Sequence, residues 1–174
     1  MLDQLASYVV SARNDSTLSL AGSFSSQASI AAKSNGQGRV FDSWAILAWL
    51  QNESASDNVE SILADTTYEA SWSSINAGEV YYQLVRRQGQ EIADGFWRDV
   101  LSSRIPIRLY SVTDARVRRA ALLKARFPIA NADAFAMALA LELKQSLVTG
   151  DVEIRGAAEK AGITLYWLGP APSH

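Results

Sequence analysis

The chain has 174 residues, of which 48% are hydrophobic and 20% charged, values typical of a single globular domain. It contains no cysteine and one histidine, His174, which excludes disulfides, zinc–thiolate sites, cysteine nucleophiles and histidine-based catalytic triads. The groups left for chemistry are therefore carboxylates, hydroxyls, amides and water. The net charge of −2 argues against a protein that coats nucleic acid through bulk charge.

The first 38 residues differ in composition from the rest of the chain. They are rich in Ser, Ala, Asn, Gln and Gly, show little apolar periodicity, and end in the linker-like segment Lys33-Ser-Asn-Gly-Gln-Gly38. We expect a disordered tail over residues 1–38, or a wrongly assigned translation start, followed by one folded domain over residues 39–170. Deleting residues 1–36 should therefore leave the domain folded.

Two targeting features are missing from the sequence. No stretch approaches the roughly 18 to 20 continuous apolar residues of a membrane-spanning helix. The first residues also lack the positive and apolar regions of a secretory signal. We therefore expect a cytoplasmic protein without membrane contact.

From Arg39 onward, short apolar segments alternate with amphipathic ones. In chain order, the patterns predict a strand over residues 39–41, a helix starting at Asp42, helices over residues 57–63, 75–87 and 91–102, a strand over 105–111, helices over 114–126 and 132–143, a strand over 146–149, a helix over 152–161 and a strand over 163–168. This alternation predicts an α/β fold with a short parallel sheet covered by helices on both faces.

Four acidic residues are each set in a locally apolar stretch, with no Lys or Arg within two positions: Asp42, Glu79, Asp133 and Asp151. Carboxylates are rarely buried unless they are paired or bound to a metal. Asp42 and Asp151 directly follow predicted strands, and parallel sheets bind ligands at the carboxyl ends of their strands. One shared cation would offset the cost of burying all four charges, which favours a metal site.

Each acid also has an ordinary structural explanation. Asp42 could only cap its helix, Asp133 could complement a helix dipole, and Asp151 could be a turn residue. Glu79 could be an exposed helix residue. It is less plausible that all four acids have only such structural roles than that any one of them does.

Neighbouring polar, basic and aromatic residues are weaker candidates. Ser43 and Thr149 adjoin the acids and could position water or a ligand, but local hydrogen bonding explains them equally well. The basic candidates for RNA phosphate contacts are Arg86, Arg87, Arg116, Arg118, Arg119 and Arg126, although a solvated helix face is the more usual role for each. The aromatic candidates for base stacking are Trp44, Tyr81 and Tyr82, although such residues more often belong to the core.

The four acids lie in the segments Val40-Phe-Asp-Ser-Trp-Ala-Ile-Leu-Ala-Trp-Leu50, Ile75-Asn-Ala-Gly-Glu-Val-Tyr-Tyr82, Ala132-Asp-Ala-Phe-Ala-Met-Ala-Leu-Ala140 and Val148-Thr-Gly-Asp151. In this order and spacing, the segments resemble the PIN-domain ribonucleases, and within them the VapC-type toxins of bacterial toxin–antitoxin pairs. The resemblance covers residues 39 to about 168. It implies a three-layer α/β/α sandwich with a short central parallel sheet.

The resemblance also implies an activity. It places Mg²⁺ or Mn²⁺ on Asp42, Glu79, Asp133 and Asp151, and hydrolysis of single-stranded RNA at that site. Asp42 and Asp133 would be the direct ligands, while Glu79 and Asp151 would orient bound water or complete a second metal site. The expected partners are RNA, a cognate antitoxin protein and a second copy of the chain.

Other functions stay open at this point. The chain could be an RNA-processing PIN nuclease without an antitoxin. It could be a catalytically inactive PIN module that binds RNA or protein, although four intact acids argue against this. It could also be an unrelated phosphatase with an Asp nucleophile, but such enzymes usually carry a second Asp two positions later, where this chain has Trp44.

Overall fold

The computed structural model describes residues 38–171. The expectations for residues 1–37 of the tail lie outside this part and stay predictions, whereas Gly38, which the sequence analysis places in the tail, is buried and is the first residue of the first strand. The five strands of the sheet are β1 (Gly38–Phe41), β2 (Glu69–Ser73), β3 (Arg108–Tyr110), β4 (Ser146–Thr149) and β5 (Leu165–Trp167). All neighbouring strands are parallel, and their order across the sheet is β3-β2-β1-β4-β5.

Helices cover both faces of this sheet: α1 (Ser43–Leu50), α2 (Ser56–Ala64), α3 (Ser74–Gln88), α4 (Gln90–Leu101), α5 (Asp114–Arg126), α6 (Asn131–Leu143) and α7 (Val152–Lys160). The first four helices contribute to one hydrophobic core and the last three to the other. The architecture is the three-layer α/β/α sandwich that the sequence predicts. Within residues 38–171, no helix has the length and apolar character needed to cross a membrane.

The two central strands supply side chains to both cores. Val40 and Leu147 point to the core beneath α5–α7, whereas the next residues, Phe41 and Val148, point to the core beneath α1–α4. All four are fully buried. Successive side chains of a strand face opposite sides of the sheet, so a strand covered on both faces must be apolar throughout.

Helix α6 lies at the centre of its layer, as its sequence predicts. Every residue from Ala134 to Ala140 is buried, and four of these seven are alanines. A helix that is apolar on all sides has no face suited to water. The small alanine side chains let α6 pack closely on β1, β2 and β4.

Strand β2 is the one element that the sequence analysis missed. Its sequence, Glu-Ala-Ser-Trp-Ser, contains no β-branched residue, so it lacks an ordinary strand signature. It forms because it pairs with strands on both sides, with Trp72 opposite Phe41 and Ser73 opposite Tyr110. The sequence patterns predict no element between residues 63 and 75, because tertiary pairing and not local propensity specifies this strand.

The order of the strands reverses beside β1. The chain moves from β1 to β2 and β3 on one side, then crosses back to β4 and β5 on the other side. In parallel sheets, ligands bind outside the carboxyl ends of the strands at the point where the order reverses. Here that point lies between β1 and β4, where Asp42 and the Gly150–Asp151 turn emerge.

Candidate active site

Asp42 is the most buried of the four acids, with 2% of its surface exposed. It follows β1 and caps α1, since its Oδ1 accepts a 2.9 Å hydrogen bond from the N–H of Ala45. Its Oδ2 accepts a 2.5 Å bond from the hydroxyl of Thr149. The capping explanation is therefore correct, but the capping carboxylate is buried and forms no ion pair with a Lys or Arg side chain of residues 38–171.

The pKa of Asp42 reflects this position. Burial raises the pKa from 3.8 to about 7, because the charged form loses its hydration. The hydrogen bonds from Thr149 and Ala45 oppose the rise, and the negative charges of Asp133 and Asp151 add to it. Since those charges act on Asp42, the three carboxylates form one electrostatic group.

Asp133 is half-buried in the first turn of α6. Its Oδ2 accepts a 3.0 Å hydrogen bond from the N–H of Ala130, so it also stabilises the start of its helix. Burial raises its pKa, the bond from Ala130 opposes this, and the charges of Asp151, Glu79 and Glu153 raise it further. Asp133 therefore connects Glu79 on α3 with the acids at the start of α7.

Asp151 caps α7 and is linked to Asp42 through a neutral side chain. Its Oδ1 accepts a 2.8 Å hydrogen bond from the N–H of Glu153. Its own N–H donates a 3.0 Å bond to the Oγ1 of Thr149, the same hydroxyl that donates to Asp42. Thr149 is fully buried and joins the acids that follow β1 and β4. Its hydroxyl thus positions two acids of the predicted site.

The turn that carries Asp151 is tightly enclosed. A Cβ atom added to Gly150 would lie 2.2 Å from the indole ring of Trp44, and one added to Gly169 would lie 2.6 Å from the carbonyl oxygen of Gly150. The N–H of Leu168 donates a 2.8 Å bond to the carbonyl of Thr149. Trp44 packs on the core and on this turn, so it stabilises the turn that carries Asp151. Its ring is therefore not an exposed surface for base stacking.

Glu79 lies on α3, at the rim of the group. It is half-buried and shares a helix face with Ile75, which packs on the core, and Tyr82, which is 44% exposed. That face runs from the interior to solvent. Next to Glu79, a Cβ added to Gly78 would meet nothing within 4 Å, so the surface beside this acid is open.

In the structure, the four predicted acids form one group in which each interacts through its charge with at least one other member. A fifth acid belongs to the same group. Glu153, in the first turn of α7, acts on Asp133 but was not predicted from the sequence. Its only sequence signal is its position two residues after Asp151. A first-turn acid of this kind is usually explained by the helix dipole alone.

The side chains do not form a closed metal cage. Among residues 38–171, no group of three or more His, Cys, Asp or Glu side chains is arranged to hold a metal ion directly. The donor set nevertheless fits a hydrated hard cation, because Mg²⁺ binds proteins through one or two carboxylates and keeps several waters. An all-oxygen set also suits Mg²⁺ and Mn²⁺ better than softer metals.

Of the basic candidates, Arg116 is not available to RNA. It is 2% exposed, and its guanidinium donates bonds of 3.0 and 2.9 Å to the carboxylate of Glu142 on α6. It also donates a 2.5 Å bond to the carbonyl of Ser111. This arginine joins α5 to α6, so Arg116 is neither a candidate phosphate contact nor part of a solvated helix face.

The other candidates have mixed positions. Arg87 donates a hydrogen bond to Gln51, and the hydroxyl of Tyr81 donates a 2.7 Å bond to Asp94. The remaining candidates are exposed: Tyr82, Arg86, Arg118, Arg119 and Arg126. Of these, Tyr82 and Arg86 lie on the helix that carries Glu79, while the last three lie on α5.

Residues 39–160 match the model of the PIN domain family. No curated protein matches the sequence. Solved structures with a similar fold include a Mycobacterium tuberculosis toxin, VapC20, that cleaves the sarcin–ricin loop, with a TM-score of 0.59, 18% identity and coverage of 69% of this chain and 95% of that one. VapBC-1 from nontypeable Haemophilus influenzae gives a TM-score of 0.55 and 17% identity, and the match covers 75% of this chain and 97% of that one. A toxin–antitoxin complex from Klebsiella pneumoniae gives a TM-score of 0.53 and 16% identity, and the match covers 68% of this chain and 92% of that one.

Proposed function

The chain belongs to the PIN domain family, and on this basis we propose that it is a metal-dependent endoribonuclease that hydrolyses single-stranded RNA. The observation that carries the proposal is the burial of Asp42 beside two other carboxylates. Within residues 38–171, no Lys or Arg side chain forms an ion pair with any of the four acids. A bound cation would offset the cost of this arrangement.

Mg²⁺ or Mn²⁺ at the site would supply a water of lowered pKa and would neutralise negative charge on the scissile phosphate. We assign Asp42 and Asp133 as direct ligands, because burial and like charges raise the pKa of both and a cation relieves both effects. Glu79 and Asp151 orient water at the site or complete a second metal position. Thr149 holds Asp42 and Asp151 at a fixed separation.

Metal binding at this site should depend on pH. With a pKa of about 7, Asp42 carries a proton for part of the time near neutral pH. A carboxylate must be deprotonated to bind a metal, so binding displaces that proton. The metal concentration needed for activity should therefore fall as the pH rises from 6 to 8.

A direct test is cleavage of total cellular RNA with Mg²⁺ or Mn²⁺, with and without EDTA. We expect cleavage that requires the metal and that is lost in Asp42→Asn. The matched control is Asp57→Asn, which removes an exposed first-turn acid of α2 far from the group. Equal cleavage by the wild type and Asp42→Asn would contradict the metal-site assignment.

We further propose that the enzyme is the toxin of a toxin–antitoxin pair, supported by the similarity of its fold to structures of toxin–antitoxin complexes. A group of carboxylates without a cationic partner among residues 38–171 suits a protein that inserts an Arg, which binds carboxylates in a bidentate manner and can displace a metal. The inserted residue should lie near Asp42, Glu79 and Asp133. By resemblance, we also propose a homodimer, which light scattering would test.

The toxin role is tested in cells. Production of the wild type alone should arrest growth, production of Asp42→Asn should not, and a small protein encoded beside the gene should relieve the arrest. Harmless production of a metal-active enzyme in its native host, without an adjacent neutralising gene, would favour RNA processing without an antitoxin.

A further inference from the structure

Asn76 is a fully buried polar residue in the first turn of α3, three positions before Glu79. Burying an amide is unfavourable unless its donors and acceptors are satisfied. An apolar side chain of similar size would fill the same space without this cost. The presence of Asn at this position therefore calls for an explanation beyond packing.

The amide of Asn76 contacts two other helices. Its Nδ2 donates 3.1 Å hydrogen bonds to the hydroxyl of Ser43 and to the carbonyl of Ala132. The hydroxyl of Ser43 in turn donates a 3.4 Å bond to the backbone carbonyl of Asn76. Because a carbonyl can only accept, the bond to Ala132 fixes which end of the amide is the NH₂ group.

These bonds join the first turns of three helices that carry the acids. Ser43 directly follows Asp42, and Ala132 directly precedes Asp133. Glu79 lies one helical turn beyond Asn76, on the same side of α3. The amide of Asn76 is thus hydrogen-bonded to the residue next to Asp42 and to the residue next to Asp133, and it lies on the same helix as Glu79. The fourth, Asp151, is connected to Asp42 through Thr149.

The Oδ1 atom of Asn76 takes no part in joining the helices. It is buried, and it has no hydrogen-bond partner among the described residues. An unsatisfied buried oxygen is unfavourable for folding, so packing and hydrogen bonding at this oxygen do not explain why an amide stands here. The two Nδ2 bonds therefore matter for where they hold the helices.

We propose that Asn76 is a positioning residue that fixes the relative placement of Asp42, Glu79 and Asp133, and thereby sets the affinity of the site for metal. This inference rests on the proposed function. Loss of a partner that orients metal ligands typically lowers metal affinity or activity about 10- to 100-fold. Asn76 touches neither metal nor RNA in this proposal; it acts through the helices that carry the acids.

The experiment compares Asn76→Ala with Ser71→Ala. Ser71 is also fully buried, and its hydroxyl donates a 3.2 Å bond to Glu69, away from the acids. For the wild type and each variant, the thermal midpoint without metal, the dissociation constant for Mn²⁺ by titration calorimetry, the Mn²⁺ concentration for half-maximal RNA cleavage and kcat are measured. We expect both variants to lose stability, but only Asn76→Ala to need about 10- to 100-fold more Mn²⁺ or to lose kcat by that factor.

Ser43→Ala gives a smaller perturbation of the same connection. It removes one acceptor of the Asn76 amide with little change in volume, so it should shift the Mn²⁺ requirement in the same direction by less. The double variant Ser43→Ala/Asn76→Ala should lose much less than the sum of the two single effects, because both substitutions break the bond between the Asn76 amide and the Ser43 hydroxyl.

The possible outcomes separate this inference from the proposed function. If the wild type cleaves RNA with Mn²⁺ and Asn76→Ala keeps the same Mn²⁺ requirement and kcat, positioning by Asn76 is overturned. An equal shift in Ser71→Ala would overturn it too, because general destabilisation would then explain the effect. A wild type that neither binds Mn²⁺ nor cleaves RNA would overturn the proposed function, and the positioning role with it.

Discussion

The hydroxyl of Thr149 donates a 2.5 Å hydrogen bond to the carboxylate of Asp42, joining residues 107 positions apart in the chain. The same oxygen accepts a bond from the N–H of Asp151. The contact spans the ends of the adjacent strands β1 and β4, so the pairing of these strands determines the separation of two acids. A neutral hydroxyl can do this without adding charge to a group that already carries several negative charges.

Thr149→Val should shift the pH dependence of RNA cleavage. The hydrogen bond from Thr149 stabilises the charged form of Asp42 and lowers its pKa, so its loss raises the pKa above the present value of about 7. The rising limb of the pH–rate profile should then move to higher pH. Thr149→Ser keeps the hydroxyl and is the control. An unchanged profile in Thr149→Val, or an equal shift in Thr149→Ser, would contradict this role.

Asp42→Asn should stabilise the metal-free protein at alkaline pH. Burial raises the pKa of Asp42 in the folded state from 3.8 to about 7, so the unfolded chain loses this proton first. Stability therefore falls as the pH rises from about 4 through about 7, by at most about 4 kcal/mol. Asparagine does not titrate, and it still caps helices well.

The measurement is the thermal midpoint of both proteins at pH 5 and pH 8 in EDTA. The advantage of Asp42→Asn should be larger at pH 8, where the wild type carries the buried charge. A variant that is less stable than the wild type at both pH values would show that the hydrogen bonds to the carboxylate outweigh its desolvation.

Divalent metal should reverse this order of stability. A ligand at 100 times its dissociation constant stabilises the folded state by about 2.7 kcal/mol, which corresponds to roughly 5 to 10 °C for a protein of this size. Saturating Mg²⁺ or Mn²⁺ should raise the thermal midpoint of the wild type at pH 8 by about this amount, and EDTA should remove the gain. Asp57→Asn should respond like the wild type and Asp42→Asn should respond much less.

The acids could be predicted from the sequence because each stands alone in an apolar setting. A carboxylate beside Val40 and Phe41, or within the alanine-rich α6, must be explained by a partner, and the partner need not be local. The alternation of strands and helices likewise predicts the layers. These signals depend on burial, which apolar neighbours reveal directly.

The missed features depend on contacts between distant residues. Strand β2 has a polar, serine-rich sequence and is specified by its neighbours β1 and β3. Arg116 looks like a surface cation, but it is buried by its pairing with Glu142, 26 residues away. Asn76 has no distinguishing sequence context, and its role depends on Ser43 and Ala132. No local pattern encodes such pairings.

Gly150→Ala should impair both stability and cleavage. The added methyl group would lie 2.2 Å from the ring of Trp44, so the turn that carries Asp151 must shift. Overpacking of this kind costs about 1 to 3 kcal/mol. Gly156→Ala is the control, because a Cβ there meets nothing within 4 Å and alanine stabilises a helix interior by about 0.5 to 1 kcal/mol. Normal cleavage by Gly150→Ala would show that the position of Asp151 is not critical.

The exposed side of α3 is the surface on which we expect the RNA strand to lie. Gly78, Tyr82 and Arg86 are spaced four residues apart and are all exposed, so they form one stripe that starts beside Glu79. The open space at Gly78 lets a strand approach the acids, Tyr82 offers a ring for a base, and Arg86 offers a charge for a phosphate.

Tyr82→Ala and Arg86→Ala should each weaken binding of single-stranded RNA by the Asp42→Asn variant, which we expect to bind RNA without cutting it. Stacking of a base on an aromatic ring contributes about 1 to 3 kcal/mol, so the dissociation constant should rise roughly 5- to 100-fold in Tyr82→Ala. Loss of Arg86 should also reduce the salt dependence of binding. The control is Tyr68→Ala. Tyr68 is similarly exposed at 37%, but it precedes β2 and so lies at the amino end of this strand, opposite the carboxyl ends from which Asp42 and Asp151 emerge, and its ring packs on Arg39. Equal weakening by Tyr68→Ala, or unchanged binding by Tyr82→Ala and Arg86→Ala in an enzyme that cleaves RNA, would place the substrate on another surface.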